Sequence, residues 1–221
     1  MLAGLRRRFH ERRCHGPLAQ LLKGPFQPGS TPLSQARLLA IDLELTHLDL
    51  STAEIISVGF VPIDGLRVRL EGAERHLVCP EGNVERSAAI HLLRDEDLVA
   101  GRALPLETAL ERVLLALEGR TLLAHHAAIE MGMLSRECKR LWGAPLVVPV
   151  SDTLAQERRR LDRAGLVRKR DALRLPTLRA AYGLPAARLH GALSDAVATA
   201  ELFLAMVAYR GPGLRLEDVW S

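Results

Sequence analysis

Short apolar runs between residues 38 and 78 predict three β-strands in the first half of the chain. Residues 38–45 form the first run, and residues 54–63 (EIISVGFVPI) form a second that is rich in β-branched side chains. The third run, residues 66–78, alternates in part between apolar and polar positions and follows a turn residue, Gly65. Runs of this kind, bounded by turn residues, are typical of strands, and we expect the second and third to pair as a hairpin.

Beyond residue 105 the apolar positions recur three or four residues apart, which is the spacing of helices. A helix follows Pro105 and ends at Gly119, and further helices are predicted at 128–142, 153–164, 176–182 and 195–209. Apolar segments at 121–124 and 146–150 predict two more strands. Three strands followed by strands that alternate with helices indicate an α/β fold with a mixed sheet.

The first 35 residues have a different composition. Residues 1–37 carry seven Lys and Arg residues against the single Glu11, and residues 24–35 are rich in Pro, Gly, Ser and Thr, as linkers are. We therefore predict a basic arm and linker over 1–35, a folded domain over 36–211 and a tail over 212–221. Two interpretations of the arm stay open: a solvated segment that binds nucleic acid or a partner, and a dispensable extension.

The composition excludes several classes of protein. The 221 residues are 48% hydrophobic and 25% charged, with a net charge of +4, which is unlike disordered, fibrous or disulfide-stapled chains. The three cysteines lie far apart and outside any CxxC spacing, so we expect a reducing, cytoplasmic location. No uninterrupted apolar run reaches the roughly 20 residues of a membrane span, and we expect no membrane partner.

Acidic residues stand at unusual places in this pattern. Asp42 and Glu44 lie two apart in the first predicted strand, so they share one face while the apolar residues share the other. Glu130 continues the apolar stripe of its predicted helix, and Asp195 opens the last, largely apolar helix. Each has an ordinary explanation: a solvated strand end, a favoured first-turn acid or a helix cap. A divalent cation would instead remove the repulsion between Asp42 and Glu44.

Four segments together resemble the DEDDh 3′–5′ exonucleases, most closely the proofreading epsilon-subunit type of bacterial DNA polymerase III. They are residues 38–46 (LLAIDLELT), 122–134 (LLAHHAAIEMGML), 150–154 (VSDTL) and 175–204, which contains LPTLRAAYG and an H-x-x-x-x-D motif. The resemblance covers about residues 36–210. It implies a ribonuclease H-like α/β fold, with a mixed five-stranded sheet flanked by helices.

The resemblance also implies the chemistry of the site. Asp42, Glu44 and Asp195 match three of the family's four metal-ligand acids. Glu130 stands where the fourth, usually Asp, is expected, and His190 matches the histidine that acts as general base. Two Mg²⁺ or Mn²⁺ ions held by such acids stabilise the attacking and leaving oxygens at phosphorus. The implied activity releases nucleoside 5′-monophosphates from the 3′ ends of single-stranded nucleic acid, with DNA favoured.

Substrate contacts are expected from residues beside these motifs: Leu45, Thr46, His47, His126, Arg158 and Arg159. The two arginines belong to a basic stretch, residues 158–170, that could follow a nucleic-acid backbone. A solvated helix face is the alternative explanation of that stretch. Two of the expected contacts depart from the family pattern, since His47 stands where Gly is usual and His126 where Asn is common. Asp152 of the VSDT segment is expected to cap the next helix.

Other interpretations of function stay open. RNA-trimming and oligoribonucleotide-trimming members of the family have the same site. Glu130 in place of the usual Asp, together with His47, is compatible with a module that binds nucleic acid but has lost its nuclease activity. The pair His125 and His126, with Glu130 one turn later, allows a zinc hydrolase. The sequence contains no recognisable polymerase domain, so a proofreading enzyme would act with another chain, such as a polymerase.

Overall fold

The computed structural model describes residues 2–79, 103–166, 171–187 and 190–221, and only the backbone of residues 2–6. Its helices are α1 (Leu2–Glu11), α2 (Gly16–Lys23), α3 (Leu106–Ala116), α4 (Ala128–Trp142), α5 (Thr153–Arg163), α6 (Leu175–Ala181) and α7 (Ala192–Arg210). Its strands are β1 (Arg37–Leu45), β2 (Ile55–Asp64), β3 (Glu74–Leu77), β4 (Thr121–Ala124) and β5 (Val150–Asp152). Short 3₁₀ turns lie at Leu70–Gly72 and Leu216–Val219.

The strands form one mixed sheet in the order β3-β2-β1-β4-β5. β2 pairs antiparallel with both β1 and β3, whereas β4 runs parallel to β1 and to β5. The predicted α/β class, the mixed five-stranded sheet and the hairpin of the second and third strands are therefore confirmed.

Two strands differ from the predicted positions. β3 occupies only the end of the predicted segment 66–78, because a 3₁₀ turn takes up residues 70–72. β5 begins at Val150, after the predicted run 146–150 is almost complete. The preceding Leu146, Val147 and Val148 pack against the hydrophobic core without joining the ladder, and Pro149 has no N–H to donate to a neighbouring strand.

Side chains of β1 alternate between the two faces of the sheet. Leu39, Ile41 and Leu43 belong to the core cluster that also contains buried residues of α2, α3 and α4. Leu38 and Ala40 belong to a second cluster together with Ala196, Ala200 and Phe203 of α7. We call this second side the α7 face. Asp42 and Glu44 continue its alternation at the end of β1, so the predicted sharing of one face is confirmed.

Of the two interpretations of the arm, the solvated segment does not hold for residues 16–23. Leu18, Leu21 and Leu22 of α2 are fully buried in the core beneath the sheet. Their spacing of three and four residues makes an apolar stripe on a helix, which the basic composition of the segment concealed. At the other end of the chain, Leu216 and Val219 are buried in the cluster of the α7 face. The core therefore extends beyond the predicted domain limits, residues 36 and 211.

α7 is the central helix of its face and begins three residues earlier than predicted. Its length and apolar composition alone would allow it to cross a membrane. That is weak evidence for a span, because half of the apolar window is buried against the rest of the protein and core helices meet the same criteria. The early start has a consequence for Asp195, which lies in the first turn of the helix and does not cap it.

Candidate active site

Three predicted metal-ligand acids converge at the carboxyl end of β1. Asp42 and Glu44 come from the strand, and Asp195 comes from the first turn of α7, which lies over the sheet at Gly59. One carboxylate oxygen from each residue lies within 4.8 Å of the others. Oxygen atoms at this separation can share one hard divalent cation.

Burial and mutual repulsion raise the pKa values of this cluster. Burial raises the pKa of Asp42 well above its usual range, and the charges of Glu130, Asp195 and Glu44 raise it further. Burial also raises the pKa of Glu44 and of Asp195, and the charge of Asp195 adds to the effect at Glu44. The repulsion means that ionised carboxylates are held together at a cost, which a bound cation would offset.

Glu130 lies near these acids but outside the compact group of three. It stands in the first turn of α4, its side chain is 4% exposed, and burial raises its pKa to about 8. Its Oε2 atom has no hydrogen-bond partner among the described residues, and neither has Oδ1 of Asp195. Buried carboxylate oxygens normally have a hydrogen-bond partner. These two unpartnered oxygens are therefore suited to binding a divalent cation.

Asp152 fixes the loop that leads into α4, the helix that carries Glu130. Its carboxylate accepts hydrogen bonds from the backbone N–H groups of Leu154 and Ala155, which confirms the predicted cap of α5. The same carboxylate accepts from the backbone N–H groups of His126 and Ala127, directly before α4. One side chain thus joins the end of β5 to the start of α4 and holds both in place.

The histidine pair beside Glu130 does not form a zinc site in the described chain. His125 uses both ring nitrogens, Nδ1 with Oγ1 of Thr153 at 2.8 Å and Nε2 with the Leu173 carbonyl at 2.9 Å. His126 is exposed and has a left-handed backbone, with φ of 76°. Among the described residues, the group that could hold a metal consists of carboxylates alone.

His190 stands at the rim of the carboxylate cluster. It is exposed, its φ of 76° is in the left-handed region, and it directly precedes Gly191, the N-cap of α7. Its backbone N–H donates to Oδ2 of Asp195 at 3.3 Å. Its charge lies close enough to lower the pKa of Glu44 and of Asp195, in opposition to burial. An imidazole ring so placed can exchange a proton with solvent and with a molecule bound at the acids.

The expected substrate contacts near β1 lie close to the acids. A bulge breaks the register between Glu44 and Leu45, and bulges of this kind redirect side chains next to active sites. Thr46 closes the following loop, because its Oγ1 accepts a hydrogen bond from the Glu54 N–H at 3.0 Å. His47 is exposed one residue later. Thr46 and His47 thus follow the acids at the end of β1, whereas the side chain of Leu45 packs against the core cluster that contains Leu39, Ile41 and Leu43. His126 lies exposed before α4.

The arginines of α5 have a different position. Arg159 donates to the Trp220 carbonyl and lines a cleft of about 670 Å³ together with Arg210, the last residue of α7. Arg210 lies about 22 Å along the helix from Asp195 at 1.5 Å per residue, so the structure does not bring Arg159 to the acids. Arg158 is exposed on the same helix. Residues 167–170 of the predicted basic stretch lie outside the described residues.

Arg75 lies near the acids and was not among the predicted site residues. It lies on β3 directly opposite Gly59, which in turn lies opposite Asp42. The three residues form one row on the α7 face, because residues opposite one another in antiparallel strands point to the same side. The charge of Arg75 lowers the pKa of Glu44. Alternation within β3 was the available signal, but the predicted strand was too long to show its register.

Comparison with known proteins identifies related chains. A family model described as an exonuclease, RNase_T, matches residues 39–203. DNA polymerase III PolC-type from Thermotoga maritima is 31% identical over 173 residues, which is 78% of this chain. The chain spans only 12% of that relative's length.

Solved structures share the fold. The nuclease domain of 3′hExo, described as a DEDDh family member bound to rAMP, is 20% identical with a TM-score of 0.63, over 82% of this chain and 96% of that one. Exonuclease X in complex with 5′ overhanging duplex DNA is 18% identical with a TM-score of 0.58, over 82% and 98% of the two chains. At these identities the likeness concerns the arrangement of the sheet and helices.

Proposed function

Because the chain belongs to the RNase_T exonuclease family, we propose that it is a metal-dependent 3′–5′ exonuclease of the DEDDh type. Its substrate is a single-stranded nucleic acid, with DNA favoured, and its product is a nucleoside 5′-monophosphate. One observation carries the proposal: carboxylate oxygens of Asp42, Glu44 and Asp195 lie within 4.8 Å of one another, and His190 lies beside them. Water is the attacking group.

The acids are the residues that would hold the cations. Asp42, Glu44 and Asp195 offer one compact set of oxygens, and Glu130 offers a further buried oxygen close to Asp42. Bound Mg²⁺ or Mn²⁺, two ions in the proposed mechanism, would supply positive charge to the oxygens that attack and leave phosphorus. Glu130 is one methylene longer than Asp, so its carboxylate reaches further from α4 than the family's usual residue.

His190 is the proposed general base. A ring nitrogen of its imidazole accepts a proton from the attacking water, and histidine is the side chain that most often serves as a general base. The backbone contact between His190 and Asp195 keeps the loop beside the acids. Leu45, Thr46, His47 and His126 contact the terminal nucleotide in this proposal.

The comparisons support DNA more than RNA as the substrate. The PolC-type relative is a DNA polymerase, and Exonuclease X binds duplex DNA with an overhang. The alternative, an RNA-trimming enzyme, is favoured by the structural neighbour that holds rAMP. We further propose that the protein acts in the cytoplasm, since its three cysteines are widely spaced, and that it associates with a polymerase chain, since its PolC-type relative is a DNA polymerase.

The experiment uses matched 5′-labelled single strands of DNA and RNA, incubated with Mg²⁺, with Mn²⁺ and with EDTA. We expect strands that shorten from the 3′ end in either metal, faster for DNA, with no shortening in EDTA. Asp195→Ala abolishes the reaction, whereas Asp171→Ala, at an exposed acid paired with Arg174, does not. Strands that stay bound and intact in both metals would instead favour the binding module.

A further inference from the structure

Ser57 carries a buried hydroxyl group with no hydrogen-bond partner. Its side chain is 1% exposed, and its Oγ finds neither a donor nor an acceptor among the described residues. A buried hydroxyl left unpaired lowers the stability of the folded state. A smaller apolar residue would avoid that cost, so the hydroxyl calls for an explanation.

The position of Ser57 in the sheet supplies one. Ser57 of β2 lies directly opposite Glu44 of β1, and it is the last regular pair before the bulge at Leu45. Side chains of such a pair point to the same face, with Cβ atoms about 4.5–5.5 Å apart. The unpaired hydroxyl therefore lies beside one of the three clustered carboxylates and on the same face of the sheet.

We propose that Ser57 is a positioning residue for the metal site, whose hydroxyl donates a hydrogen bond to the Glu44 carboxylate when Glu44 binds a cation. The inference rests on the metal binding of the proposed function. Polar groups that hydrogen-bond to a ligating carboxylate fix its direction, and their loss typically weakens metal binding by about 10–100-fold. The hydroxyl acts through Glu44 and has no contact with substrate.

A packing role makes a different prediction for metal affinity. Ser57 precedes Gly59 by two residues on the same face, where the start of α7 lies against the sheet. If the site only required a small side chain, alanine would serve equally well. Metal affinity would then be unchanged by Ser57→Ala, and stability would not fall.

Ser151 provides a matched control. It is a fully buried serine on β5, but its Oγ accepts a hydrogen bond from Nε2 of Gln156 at 2.9 Å.

Titration calorimetry with Mn²⁺ on the full chain measures affinity, and thermal unfolding in EDTA measures stability. We expect Ser57→Ala to weaken Mn²⁺ binding at least about tenfold with an unchanged or higher Tm. We expect Ser151→Ala to lower the Tm by a few degrees and to keep Mn²⁺ affinity. Mn²⁺ affinity of Ser57→Ala within about twofold of the original would overturn the proposal.

A double variant tests whether the effect passes through Glu44. In a chain that already carries Glu44→Ala, Ser57→Ala is expected to cause no further loss of Mn²⁺ affinity. An equal further loss would place the action of the hydroxyl elsewhere and would also overturn the proposal. Neither measurement depends on strand degradation. A chain whose Mn²⁺ affinity depends on Ser57 and Glu44 in this way but that leaves strands intact would contradict the proposed exonuclease activity alone.

Discussion

Gly59 lies directly opposite Asp42 in the ladder of β1 and β2, and the start of α7 occupies the space above it. A Cβ atom at residue 59 would collide with backbone atoms of Ala192 and Leu193. The absence of a side chain therefore lets the helix approach the sheet beside Asp42. This approach places Asp195, in the first turn of α7, within reach of the carboxylates of β1.

Gly59→Ala is expected to displace the start of α7, because the clash is with main-chain atoms that cannot rotate away. We expect unfolding free energy to fall by about 1–3 kcal/mol, as for other overpacked sites, and Mn²⁺ to stabilise the variant less than the original chain. Thermal unfolding with and without Mn²⁺ measures both effects. Gly132→Ala on α4 is the control, since its nearest contact is an ordinary one with a Leu50 side chain. An equal gain in Tm from Mn²⁺ in all three chains would contradict this role of Gly59.

His190→Asn is expected to lower kcat by about 10²–10⁴-fold, the usual range for loss of a general base. Asparagine tolerates the left-handed backbone of residue 190 and keeps the N–H that donates to Asp195, so metal affinity stays unchanged. Single-turnover degradation of a labelled strand measures the rate, and calorimetry with Mn²⁺ measures the affinity. His15→Asn, at an exposed histidine before α2, is the control. A rate within threefold of the original would exclude His190 as the base.

The raised pKa of Glu130 predicts how stability depends on pH in EDTA. The folded-state pKa is about 8 and the ordinary value is 4.5, so between these values the folded chain retains a proton that the unfolded chain has lost. The contribution of Glu130 to stability is therefore fully present below about pH 4.5 and is lost as pH rises towards 8. Asp42 and Asp195 contribute a slope of the same sign.

Glu130→Gln removes the contribution of this residue. Between pH 5 and pH 8.5 in EDTA, we expect the Tm of the original chain to fall by several degrees more than the Tm of the variant. Glu118→Gln, at an exposed position after α3, is expected to behave like the original chain. Parallel Tm curves for Glu130→Gln and the original would show that Glu130 is ionised in the folded protein throughout.

Leu22→Ala tests the burial of α2. The side chain is 0% exposed, and large-to-small changes at such sites cost about 2–5 kcal/mol. Leu115→Ala is the control, because Leu115 is 61% exposed on α3 and surface changes usually stay within about 0.5 kcal/mol. Urea unfolding compares the two variants. Equal stabilities would contradict the burial of α2 and favour the solvated segment, one of the two interpretations that the sequence left open.

Predictions that depended on neighbouring residues were the most successful. The shared face of Asp42 and Glu44 follows from the two-residue period of a strand, and the cap at Asp152 follows from its place before a helix. The burial of α2 was not predicted, because basic residues and a proline-rich segment outweighed three leucines at helical spacing. The distance between Arg159 and Asp195 could not be predicted from the sequence, because it depends on how α5 packs beside the far end of α7.

The sequence by itself determined the mixed α/β order, the identity of the acids and the histidine, and the resemblance that joins them, since strand period, helix period and motif spacing are local properties. Only the tertiary structure decided which of these side chains lie close together. Asp195 reaches Asp42 because α7 rests on Gly59, and the unpaired hydroxyl of Ser57 faces Glu44 because of the register between β1 and β2. Both relationships join residues far apart in the chain, so they depend on packing and pairing that no local pattern specifies.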